Sequence, residues 1–149
     1  MSLISAEQVI LDLAAPDRHA ATRMLAETLQ TTGRVTDLDQ FLADVRAREE
    51  QMPTGLPGGI GIPHARSAAV TAPSLAFGRT TTGIDWGAED GPATIVFLIA
   101  APDGGGQEHL KILAKLARKL MRAEFRESLM NATDAQTVVD IIDREVVNA

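Results

Sequence analysis

The stretch Ala93-Thr94-Ile95-Val96-Phe97-Leu98-Ile99-Ala100 constrains the fold of this chain most. It has no polar residue after Thr94 and no two-residue alternation, so it reads as a strand buried on both faces. Such a strand belongs in the middle of a sheet that helices cover. Ser74-Leu75-Ala76-Phe77-Gly78 reads as a second strand, and Gly83-Ile84-Asp85-Trp86-Gly87 with Gly91-Pro92 marks turns between the two.

Helical periodicity surrounds these strands. Beyond a short apolar run at Val9-Ile10-Leu11-Asp12-Leu13, read as a strand, Ala21, Met24, Leu25, Thr28 and Leu29 fall on one helix face that stops near Gly33. The spacing of Ser5 and Gln8 also permits a helical turn before Val9. Leu38, Phe41, Leu42 and Val45 form the stripe of a second helix, for which Thr36 and Asp39 predict the cap. Leu110, Leu113, Leu116, Ala117 and Leu120 form a third, and the cations Lys111, Lys115, Arg118, Lys119 and Arg122 read as its solvated side. Two more helical segments follow, around Phe125 to Met130 and from Asp134 to about Val147, the last with Thr133 and Gln136 as a capping box. The interleaved order predicts an α/β fold: a single domain over residues 4–148, with a mixed β-sheet flanked by helices.

Composition narrows the chemistry. The 149 residues suffice for one core and are few for two. Acidic side chains number 20 against 14 basic ones, giving a net charge of -6, which argues against an electrostatic nucleic-acid binder. There is no cysteine, so thiolate metal sites, disulfides and cysteine nucleophiles are excluded. No apolar run approaches the roughly 20 residues of a membrane span, and no signal-type segment opens the chain, so a cytoplasmic location is expected.

Three histidines remain as candidates, His19, His64 and His109. His64 follows a glycine- and proline-rich stretch, Pro53 to Pro63, that excludes helix and reads as a constrained loop. Its imidazole can act as a nucleophile near neutral pH. His109 falls after Gly104-Gly105-Gly106, in the first turn of the third helix, where free N–H groups attract anions. Arg48 closes the second helix with a guanidinium fork suited to phosphate oxygens, whereas Arg46 and Glu49 beside it read as solvated charge. His19 reads as surface. The glycine clusters lack the Lys-Ser/Thr ending of a nucleotide-phosphate loop, and zinc-protease and serine-hydrolase spacings are absent.

Taken in order, Arg48-Glu49-Glu50-Gln51-Met52-Pro53-Thr54-Gly55, Gly61-Ile62-Pro63-His64-Ala65, Phe97-Leu98-Ile99-Ala100-Ala101-Pro102 and Glu108-His109-Leu110-Lys111-Ile112-Leu113 resemble the IIA domain of the bacterial phosphotransferase system, fructose/mannitol class. The likeness runs from about Val9 to the last helix. It implies a phosphoryl relay: the phosphocarrier HPr, or an HPr-like domain, phosphorylates His64, and the group then passes to a cysteine on a IIB domain of a sugar permease. His109 matches the second active-site histidine of that family and Arg48 its phosphate-contacting arginine. No cofactor and no metal are implied, and with no cysteine here the IIB acceptor is expected outside this chain. Ala65-Arg66-Ser67-Ala68-Ala69-Val70 and Gly83-Ile84-Asp85-Trp86-Gly87 look most like fructose-type IIA domains. Two alternatives are a IIA protein of the nitrogen-related branch, which binds partners according to its phosphorylation state, and an inactive relative. Two protein partners must reach one histidine, so a shallow depression is expected, with Leu56, Ile62 and Trp86 as candidate rim residues.

Overall fold

The structure, a computed structural model, describes residues 3–104 and 108–147, with side chains at all of these except 108–110 and 112. Its centre is the predicted apolar strand, β6 (Ala93–Pro102), flanked by β5 (Ser74–Ile84) running antiparallel with Phe77 opposite Phe97. β1 (Val9–Ile10) lies parallel to β5 on its outer side. The other side of β6 is shared by two short parallel strands, β3 (Ile60–Gly61) beside Ile95 and Val96, then β4 (His64–Ser67) beside Ile99 to Pro102. β2 (Gly55–Leu56) closes that edge antiparallel to β3. The sheet is thus mixed, as expected.

Along β6 the side chains alternate between two separate cores. Val96, Leu98 and Ala100 meet α1 (Arg18–Thr31) and α2 (Leu38–Gln51) through Leu25, Leu29, Phe41 and Val45. Ile95, Phe97 and Ile99 meet α3 (Glu108–Leu120), α4 (Ala123–Asn131) and α5 (Ala135–Ile142) through Leu116, Leu120, Leu129 and Val138. Burial on both faces explains why no polar residue follows Thr94 in the strand. Phe77 and Phe97 stack at a ring separation of 5.1 Å, tilted by 56°, an arrangement worth about 0.5–1.5 kcal/mol beyond the area it buries.

Several boundaries differ from the sequence expectation. Ser5 and Gln8 do form a turn, a 3-10 turn over Ala6–Gln8, and the strand after it stops at Ile10 instead of Leu13. Leu13 is still buried, and its N–H donates to Arg79 O at 2.9 Å. The α2 cap is Asp37, whose carboxylate accepts from Gln40 N, in place of Thr36; Thr36 instead bonds Ala69 O through both N and Oγ1. The α5 cap is Asp134 in place of Thr133, and that helix continues as a π-helical turn over Asp143–Val147. At both caps a carboxylate one residue later displaced the threonine, consistent with the stronger N-cap preference of aspartate. β5 runs on through Gly83 and Ile84, which had read as turn, because Ile84 pairs with Ala93.

The α5 cap gives a pH test. Bonds from the Thr137 hydroxyl and backbone N–H hold the Asp134 carboxyl below its ordinary value of 3.8. A lowered folded value means that its stabilisation is complete above the ordinary value and lost as pH falls through the folded one. Asn at this position still caps but does not titrate. Urea melts of wild type and Asp134→Asn should therefore converge as pH falls from about 5 to about 2, and a constant gap would contradict the cap.

Candidate functional site

Residues 52–64 supply β2, β3 and the first residue of β4 on the side of β6 away from β5, and glycine and proline leave them few alternatives. β2 and β3 are joined through Gly58 and Gly59, both at positive φ (97° and 78°), a region that other residues rarely enter. Gly61 is fixed by contact: a Cβ there would lie 2.5 Å from the Trp86 ring. Ile62 N donates to Thr54 O at 3.2 Å, and Ile99 N donates to Pro63 O at 3.0 Å, so the Ile62-Pro63 step is held from both sides.

His64 is therefore the first residue of a strand, where the sequence had indicated a loop. A four-residue strand behind a proline carries too little periodicity to be read beforehand. Pairing with Ile99 puts the His64 side chain on the sheet face that carries α3, and Ile62, two residues earlier, packs into that same core. The ring is half-buried, and its Nδ1 lies 2.8 Å from Ile62 O. A carbonyl oxygen only accepts, so Nδ1 carries the hydrogen. In the neutral ring the lone pair is then on Nε2, which is the nucleophilic nitrogen.

Arg48 lies in the last turn of α2, half-buried, with Nη1 donating to Met52 O at 3.0 Å. Among the described residues this is its one hydrogen bond, which leaves most of its donor fork for an anion. Met52 is extended and 66% exposed. The antiparallel register of Gly55 opposite Gly61 continues as far as the bond from Ile62 N to Thr54 O, two residues short of Met52 and His64. His109 is in the first turn of α3, the helix that follows β6 in sequence and whose later turns pack on the sheet face that carries His64. Its side chain, and Gly105 and Gly106 before it, lie outside the described residues. The close of α2 and the start of β4 are joined through Thr54 and Ile62, and α3 packs on the His64 face through Leu116 and Leu120.

Two readings need correction here. Trp86 is fully buried and donates Nε1–H to Thr54 Oγ1 at 3.1 Å, so it is core and not rim; Leu56 and Ile62 are half-buried, and the exposed apolar residue near the site is Met52. Glu49 is 7% exposed and not solvated. Its carboxylate accepts from Thr54 N at 2.7 Å, Thr54 Oγ1 at 2.5 Å and Arg18 Nη1 at 3.3 Å. Sequence alone missed Arg66 as well: it is exposed, and as the second residue beyond His64 it shares that face of the sheet. Its signal was the two-residue period of a strand that had not been recognised. His19 is exposed, as expected, and lines a cleft of about 540 Å³ between α1 and α2 whose lining includes neither His64 nor Arg48. Among the described residues no cluster of acidic or histidine side chains is arranged to hold a metal ion, and no helix is long and apolar enough to cross a membrane.

The described residues thus show a half-buried histidine whose Nδ1 bears the hydrogen and an arginine at the close of α2 with most of its donors unused, and α3 packs on the histidine's face of the sheet. The family model described as "Phosphoenolpyruvate-dependent sugar phosphotransferase system, EIIA 2" matches residues 2–145, so the chain belongs to that family and is a phosphotransferase component that works through a phosphohistidine. It is 40% identical over 137 residues to the fructose-specific EIIA component of Haloferax volcanii, covering 91% of this chain and 89% of that protein. It is 34% identical to the fructose-specific EIIABC component of Bacillus subtilis, covering 95% of this chain but 22% of that longer protein. Among solved structures, the nitrogen regulatory protein IIA-Ntr of Neisseria meningitidis superposes with a TM-score of 0.86 at 30% identity, over 94% of this chain and 96% of that one. The Escherichia coli complex of the mannitol IIA enzyme with its phosphorylated IIB enzyme gives 0.79 at 25% identity, over 95% and 97%.

Proposed function

We propose that this chain accepts a phosphoryl group from HPr or an HPr-like domain on His64 Nε2 and passes it to the cysteine of a IIB domain, in the uptake and phosphorylation of a sugar, fructose by preference. The bond from His64 Nδ1 to Ile62 O carries this reading, because it selects the attacking nitrogen. In the first step the Nε2 lone pair forms a P–N bond as the bond to the donor breaks. In the second, a thiolate forms a P–S bond as that P–N bond breaks, and His64 returns to its neutral form. Arg48 and His109 share the charge of the moving group, with the α3 start adding its dipole. The similarity to two fructose-specific components supports the sugar, and the mannitol IIA–IIB complex supports the acceptor. We infer a cytoplasmic location from this role in a relay between HPr and a permease.

The test is transfer from enzyme I, HPr and labelled phosphoenolpyruvate, followed by a panel of IIB acceptors. Rapid discharge to a fructose-type IIB is expected, and discharge to none would overturn the transport role. The likeness to IIA-Ntr favours a second reading, a regulatory protein that binds partners according to its phosphorylation state, and failure of every IIB would favour it. His109→Ala should fold and still accept phosphate, with transfer slowed roughly 10- to 100-fold in rapid-quench assays. Wild-type rates in both directions would remove His109 from the site.

A further inference from the structure

Glu49 has no place in the relay as described, yet it is buried at the end of α2, one residue after Arg48, with three donors on its carboxylate. Burial of a carboxylate is costly unless such bonds compensate it. Two of the three come from a single residue, Thr54, whose hydroxyl also accepts the indole N–H of buried Trp86. The path continues toward the site. Thr54 O accepts from Ile62 N, and Ile62 O accepts from His64 Nδ1, so an unbroken series of bonds joins Glu49 to the histidine ring.

We propose that Glu49 is a positioning residue for the phosphoryl acceptor. By clamping Thr54 it holds Ile62 through its N–H, and so orients the carbonyl of that residue that selects the His64 tautomer and keeps the lone pair on Nε2. This rests on His64 as the acceptor, but the tautomer is measurable without any transfer. Arg18, the third donor, ties the same carboxylate to the first turn of α1 at 3.3 Å. A carboxylate that served only to close α2 would affect stability and leave the ring unchanged.

The experiment reads the ring nitrogens of His64 by long-range proton–nitrogen NMR in the intact, unphosphorylated protein, beside phosphoryl-transfer kinetics. Wild type should show the hydrogen on Nδ1. Glu49→Ala and Thr54→Val, which remove the clamp from either side, should let the Nε2–H form appear and lower kcat roughly tenfold or more with little change in KM for the donor. Glu49→Gln retains an acceptor for Thr54 N, and Thr54→Ser retains the hydroxyl, so both should stay near wild type. Folded Ala and Val variants with Nδ1–H retained and wild-type kcat would overturn the proposal, whatever their stability. If Glu49→Ala does not fold, the Thr54 pair decides. Should wild type take its phosphoryl group elsewhere while the tautomer still responds to Glu49, the assignment of His64 fails and the clamp stands.

Discussion

His64→Ala should form no phosphoprotein when incubated with enzyme I, HPr and labelled phosphoenolpyruvate, whereas wild type forms an acid-labile, base-stable one. The variant removes the nucleophile and little else. Its Cβ stays on a strand whose pairing with β6 runs through backbone groups, and the ring is only half-buried, so the fold should persist. Only three histidines are present. His19 stands on the exposed side of α1, away from the β4 edge, and His109 belongs to the helix that faces His64. Full labelling of the variant would therefore place the acceptor on His109 or His19 and exchange the roles assigned here.

Trp86→Ala should be the most damaging single truncation near the site, at about 3–5 kcal/mol. The indole is fully buried, lies against Gly61 so closely that no Cβ fits, and donates to the Thr54 hydroxyl. Its loss opens a cavity beneath β3 and takes a partner from the clamp. For a chain of this length the melting temperature should fall by roughly 6–20 °C, followed by far-UV circular dichroism because the single tryptophan is gone. A loss below about 1 kcal/mol would mean that Trp86 is a surface rim residue after all. Trp86→Phe fills most of the volume and should recover much of the loss.

Long elements were readable in advance because their burial is regular. β6 shows it as an uninterrupted apolar run, and the stripes of α1 to α3 show it through Ala21, Leu25, Leu29, Phe41, Val45, Leu116 and Leu120, all buried, while the side chain of Leu110 lies outside the described residues. The two-residue strands β2 and β3 have no period to detect, and β4 is only four residues long, so its first residue looked like loop. The same gap hid Arg66, whose relation to His64 exists only in a pleated strand. Glu49 was misread for a different reason. A glutamate in a run of charges is usually solvated, and nothing local shows that Thr54, five residues on, folds back to it. Trp86 had turn signals on both sides, Gly83 and Gly87, yet its ring fills the space that Gly61 leaves open. For the site itself, the residue types and their order pointed to His64, Arg48 and His109. What the sequence lacked was the tautomer, which depends on a carbonyl oriented by the fold.

The measurement that bears most directly on the whole account is nitrogen–phosphorus coupling in the phosphorylated, nitrogen-15-labelled protein. The geometry predicts coupling from the phosphorus to Nε2 of His64, with Nδ1 still bearing its hydrogen toward Ile62 O. Coupling to Nδ1 of His64, or to a ring nitrogen of His109, would contradict it.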